Sequence, residues 1–225
     1  SVTTPLTCSA TNTQQAATIT VTAQDGTPFT TGSAYLYSFN GGGYGSSNTY
    51  TVNTAGDVTI SVKDANGCTY TVPSGVTIAP LNPPTALSFT AGPAITCTTT
   101  TTSVTAAATG GSGTLTYTIT APASATTNIS GASTGIFTGL APNTYTFKVT
   151  DANGCSFTNI YRVDAVTPIT VTGALVNNVS CNTANDGSIK FTAGGNITGG
   201  YSFVLFDGTS TSISPANTSA GNTIT

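Results

Sequence analysis

The sequence predicts an all-β chain of tandem immunoglobulin-like β-sandwiches arranged end to end, and three observations carry that prediction. Val62-Lys63-Asp64-Ala65-Asn66-Gly67-Cys68 returns as Val149-Thr150-Asp151-Ala152-Asn153-Gly154-Cys155, 87 residues later (155 − 68). Cys8, Cys97 and Cys181 step along the chain with nearly the same period. Two interleaved landmarks at one period mean an array of similar units. Finally, short runs rich in Val, Ile, Thr, Tyr and Phe alternate in character between Gly, Asn, Pro and Ser clusters, which is the period of strands, and no segment carries a useful helical period.

Residues 1–80 form the first unit. Ala17-Thr18-Ile19-Thr20-Val21-Thr22 puts Ile19 and Val21 on a core face and hydroxyls on the other. Thr suits this role because its branched β-carbon fits a pleated strand while its hydroxyl solvates the outer face without charge. Leu36 is a further core candidate, and Tyr35, Tyr37 and Phe39 share one strand face beside the Gly41-Gly42-Gly43 loop. Val58, Ile60 and Val62 alternate into the closing hairpin. Leu81-Asn82-Pro83-Pro84-Thr85 is a linker, since adjacent prolines hold the chain extended and cannot join a central strand.

The second unit, residues 86–166, has core candidates Leu115, Tyr117 and Ile119, then Tyr145, Phe147 and Val149 before its own hairpin. Thr167-Pro168 marks a tighter junction, and residues 167–225 are an incomplete third unit with Ile189, Phe191, Phe203 and Leu205 inward. On the repeat pattern its closing hairpin falls about 15 to 20 residues past Thr225, so the chain is read as a segment of a longer polypeptide and Ser1 as a processed or internal start.

In each Asp-Ala-Asn-Gly hairpin, Asp64 or Asp151 opens the turn by accepting a hydrogen bond from the backbone two residues on, Asn66 or Asn153 tolerates its centre, and Gly67 or Gly154 supplies positive φ. Calcium ligation is the competing reading, but each copy offers one carboxylate where calcium wants six to eight oxygens. Asn185-Asp186-Gly187 is likewise read as a turn. No metal or cofactor is expected.

The cysteines have no His partner and no close pairing, which excludes a zinc site and points to disulfides. The first and second cysteines of a unit lie 60 residues apart (68 − 8) and then 58 (155 − 97), which favours Cys8–Cys68 and Cys97–Cys155 and leaves Cys181 for a partner beyond Thr225. Strand order permits another pairing. In a standard sandwich the turn before the second strand and the final hairpin lie at opposite ends, so Cys155 would face Cys8 across the junction.

Composition removes several function classes. With no His and no Glu, the usual acid–base groups are missing and the chain is not expected to be an enzyme. Four scattered cations and a net charge of −3 provide no nucleic-acid footprint. No apolar run suggests membrane insertion in this segment.

Cys181-Asn182-Thr183-Ala184-Asn185-Asp186-Gly187-Ser188-Ile189 followed by Gly199-Gly200-Tyr201 resembles the opening of an SprB-type repeat, and Tyr145 to Cys155 resembles its close. The first unit keeps the closing hairpin but opens with Cys8-Ser9-Ala10-Thr11-Asn12-Thr13, without Asn-Asp-Gly. PKD-like and other immunoglobulin-like surface repeats are the broader family. The resemblance implies a stalk module of a large secreted adhesin of the Bacteroidota, exported by type IX secretion and held at the outer-membrane surface. It also implies roles in surface adhesion and gliding motility. Its partners would be neighbouring repeats, surface polysaccharide, or the secretion and motility machinery. Two alternatives remain: a carbohydrate- or ligand-binding module contacting its ligand through Tyr44, and a polymerising filament subunit that exchanges a strand.

Overall fold

The computed structural model describes residues 1–184 and 186–195, and beyond these only the backbone strands at 205–206, 212–213, 219–220 and 223–224. β-branched and aromatic runs take extended backbone throughout, and the one helical element among the described residues is a 3₁₀ turn, Ala123–Ala125.

The first segment holds β1 (Val2–Thr4), β2 (Thr7–Cys8), β3 (Gln14–Gln15), β4 (Ala17–Thr20), β5 (Leu36–Phe39), β6 (Thr49–Val52), β7 (Gly56–Val58), β8 (Ile60–Lys63), β9 (Thr69–Thr71) and β10 (Val76–Ile78). Strands β1, β4 and β6 pair in one antiparallel sheet and β5, β8 and β9 in another; β2 pairs with β3 and β7 with β10. The second segment holds β11 (Pro84–Ala91), β12 (Thr102–Gly110), β13 (Thr116–Ala121), β14 (Ile136–Leu140), β15 (Asn143–Thr150) and β16 (Ser156–Val163). Its sheets are β11-β12-β14 and β13-β15-β16. Apart from the small pairs, both segments follow one scheme: strands one, two and four in one sheet, and three, five and six in the other.

Strands β17 (Thr170–Asn177) and β18 (Ser188–Gly194) begin a further sheet, ordered β17-β18-β22-β21. In it β21 is Ser219–Ala220 and β22 is Thr223–Ile224, while β19 (Leu205–Phe206) pairs with β20 (Ser212–Ile213). By contact the chain divides into two compact units. One is residues 1–94 with 101–163; the other is 95–100 with 164–225.

Alternation decides the cores. Along β15, Tyr145, Phe147 and Val149 are buried while Thr146, Lys148 and Thr150 are half-exposed. The Phe147 ring lies 5.1 Å from Phe89 and 5.2 Å from Phe137, both on the opposite sheet, so two faces close on one aromatic. In the first segment Ala17 and Ile19 meet Val58, Ile60 and Tyr37.

Several expectations need correction. Leu36 is half-buried because its neighbour Tyr37 takes the inward direction, and successive side chains cannot both point to one face. Val62 and Leu115 are also half-buried. Ile189 is 50% exposed, although Phe191 and Ala193 on the same face are half-buried and buried. Alternation marked the face, but no described element covers its first residue. Phe203 lies outside the described residues, and of Leu205 only the backbone strand is described. The linker is shorter than expected: Pro84 starts β11 and pairs with Gly110. A proline is tolerated there because β11 is an edge strand and Pro84 its first residue.

Replacing Phe147 by Ala is expected to destabilise the second segment by about 4 kcal/mol, through lost transfer energy and a cavity between the sheets. Ile160→Ala, at a side chain 61% exposed, should change stability by less than about 0.5 kcal/mol. Urea titration of both variants checks the contrast.

Candidate functional site

The two Asp-Ala-Asn-Gly hairpins share the same bonding frame, and the second adds one bond. Asp64 Oδ1 accepts the Cys68 backbone N–H at 2.8 Å, and Oδ2 accepts that of Thr27 at 3.1 Å. Asp151 Oδ1 accepts Cys155 N–H at 2.9 Å and Asn153 N–H at 3.0 Å, while Oδ2 accepts Ser112 N–H at 3.1 Å. In each copy the Asp N–H donates to the Cys carbonyl, and the glycine N–H donates back to the Asp carbonyl. The residue after Asp donates to Thr27 in the first copy and to Ser112 in the second.

Both aspartates are buried, and unpaired peptide N–H groups there would be costly, so the carboxylate serves as the acceptor that closes the turn. Gly67 and Gly154 sit at φ 83° and 80°, as the turn requires. The hydrogen bond from Thr27 holds the Asp64 carboxyl below the usual carboxylate value, with burial opposing it. Asp186 is lowered in a related way by its bonds to Ser180, whose N–H it accepts at 3.0 Å. Among the described residues no three of His, Cys, Asp and Glu gather to hold a metal ion.

The second hairpin does more than turn the chain. Cys155, fully buried, is joined to Cys8 in a disulfide with a Cα–Cα distance of 4.8 Å. Cys8 N–H donates to the Asn153 carbonyl at 2.8 Å, and Ser156 N–H donates to Asn12 Oδ1 at 2.8 Å. The β2–β3 hairpin of the first segment is thereby seated on the β15–β16 hairpin of the second. A Cβ on Gly154 would stand 2.9 Å from the Cys8 carbonyl oxygen, so the glycine permits close approach as well as positive φ.

This pairing corrects the one that spacing favours. Cys8–Cys68 and Cys97–Cys155 do not form; Cys68, Cys97 and Cys181 are unpaired and exposed. The reason is topological. The turn between β1 and β4 and the turn between β8 and β9 lie at opposite ends of the sheets. Even a four-residue strand spans about 13 Å, beyond the roughly 7 Å between Cα atoms that a disulfide tolerates.

The aromatic candidates separate. Tyr37 is buried, and Phe39 stacks on Tyr50 at 4.8 Å. Tyr44 is 40% exposed, with the Lys63 ammonium 5.7 Å from its ring centroid, so one ring face already holds a cation. Sequence reasoning missed Thr27, Ser112 and Asn12, because each contributes a backbone group or a short side chain to a distant turn. Asn12 alone left a signal: an Asn in a polar cluster adopting φ 60°.

Nothing in the comparisons identifies the chain. No family model, no curated protein and no solved structure matches it.

Asp151→Ala should cost about 3 kcal/mol by stranding buried N–H donors of a charged hydrogen-bond set, measured by chemical denaturation. The pH response of Asp64 has a defined sign. A depressed folded-state pKa contributes stability that is complete above the ordinary value of 3.8 and is lost as pH falls through the lower folded value. The Asp64 carboxyl resonance should therefore titrate below 3.8, with Cys68 amide protection unchanged from neutral pH down to that point. A midpoint at or above 3.8 contradicts the hairpin geometry.

Proposed function

We propose that the chain is a structural stalk module of a secreted cell-surface adhesin or filament, built from immunoglobulin-like repeats. The observation that carries this reading is the Cys8–Cys155 staple, flanked by one backbone–backbone hydrogen bond and one from the Ser156 N–H to the Asn12 side chain. A disulfide between successive segments does nothing for a binding pocket or a reaction. It fixes the angle of a joint.

Strand order supports the immunoglobulin-like part. Sheets of strands one, two and four against three, five and six follow the A-B-E and C-F-G arrangement with strand D omitted. In the second segment the Tyr145 hydroxyl donates to the Ala141 carbonyl at 2.8 Å, the back-bond of a tyrosine corner. Burial pushes that phenol's pKa up. In the first segment Val58 stands at the matching position, so of these two segments the second alone carries the corner.

The disulfide also supports an oxidising, extracellular location. Adhesion and gliding enter from the resemblance to SprB-type repeats, whose long surface adhesins need many stiff modules in series. A low charge density with abundant Thr suits a module that must remain solvated along its length without attracting nucleic acid or membrane.

Intact mass and imaging of the native polypeptide test the reading. The reduced protein should exceed 22.3 kDa many-fold and appear as a thin rod in negative-stain micrographs. A reduced species of 22.3 kDa, or a compact particle, would contradict it.

A further inference from the structure

The closing hairpin of the first segment is identical in sequence to that of the second from Asp64 to Cys68, and it shares the Asp–Cys, Gly–Asp and loop-anchoring bonds, but its surroundings differ. Around Cys155, the residues Asn153, Gly154, Ser156 and Phe157 are all half-buried. Their counterparts Asn66, Gly67, Thr69 and Tyr70 are exposed, as is Cys68 itself, and Tyr70 reaches 65%. A Cβ on Gly154 would strike the Cys8 carbonyl, whereas one on Gly67 would meet only the Lys63 Cε at 3.9 Å. Beside Cys68 opens a cleft of about 590 Å³ lined by Val21, Ala23, Tyr35, Val62, Tyr70 and Val72. The same hairpin is therefore covered in one segment and bare in the other, and what covers it is a cysteine-bearing opening hairpin.

A second observation extends the pattern the other way. Residues 95–100, which contain Cys97, group by contact with residues 164–225 in one compact unit and not with the rest of the second segment. The opening turn of the second segment is thus grouped apart from that segment's own sheets, whereas the Cys8 turn stays in one unit with both of the first two segments.

We propose that the disulfides run in a staggered chain, the opening cysteine of each repeat joined to the closing-hairpin cysteine of the next, each pair of thiols giving up two protons and two electrons to a disulfide-donating oxidant by thiol–disulfide exchange. The Cys68 hairpin and its cleft are then the docking surface for the opening hairpin of a repeat lying N-terminal to it in the same polypeptide. This rests on the stalk reading. The occupant is specified by chemistry already present at Cys8: a thiol on a short strand, an N–H for the Asn66 carbonyl, and an Asn side chain to accept the Thr69 N–H.

The test is disulfide mapping of the native polypeptide, digested with pepsin under non-reducing conditions because Lys and Arg together number 4. Cys68 should appear cross-linked to an opening-hairpin cysteine of a preceding repeat, beside a Cys8–Cys155 peptide. Cys68 recovered as a free thiol, joined to Cys8 or Cys97, or joined to a second molecule overturns the proposal. Reduced intact mass separates the two levels. A large polypeptide with free Cys68 defeats the staggered chain alone, whereas a reduced mass of 22.3 kDa defeats the stalk reading with it.

Discussion

In an antiparallel sandwich of this strand order, the turn after the first strand and the hairpin before the last lie at opposite ends. The separation is the length of the strands between them, and no side-chain adjustment can remove it. Two cysteines placed on those turns cannot meet inside one segment. They can meet only where one segment's end abuts the next, and Cys8 and Cys155 do. That geometric opposition turns a routine cross-link into a joint. In the chain-entropy model, closing a loop of 147 residues stabilises the folded state by about 5 kcal/mol. The energy is comparable with a within-segment bridge; the mechanical consequence differs.

The joint works because the hairpin that carries Cys155 is already rigid. Asp151 satisfies three peptide N–H groups with one carboxylate, two within the turn and one on Ser112 of a neighbouring loop. That leaves the Asn153 carbonyl and the Ser156 N–H pointing outward, available to the opening hairpin. Local turn chemistry therefore presents two preformed backbone groups at the right place, and the disulfide closes over them. Behind the hairpin, β15 and β16 run back into a core centred on Phe147.

Much of this was legible in the residues, and the limits have physical causes. Period-2 alternation identified the buried faces of β4, β8, β13 and β15, because a half-buried strand must alternate. It misjudged Leu36, where two adjacent apolar residues competed for one inward direction, and Ile189, where a face was marked without knowledge of its cover. The hairpins were readable because Asp, Asn and Gly each carry a specific backbone preference. The disulfide partner was not readable from spacing. Equal spacing reports that two units are alike, and it is silent on which ends face each other. Strand order held that information, and it pointed to the junction. The contributions of Thr27 and Ser112 were invisible because any residue other than proline can supply a backbone N–H.

A single-molecule stretching measurement on this chain, pulled from its two ends before and after reduction, tests the joint most directly. With Cys8 bonded to Cys155, a sequence separation of 147 is shielded from force, so reduction should release about 510 Å of extra contour length in one class of event. Two separate releases of about 200 Å each would mean bridges within the segments, and no release at all would mean that the junction is not cross-linked. Either result would contradict the account.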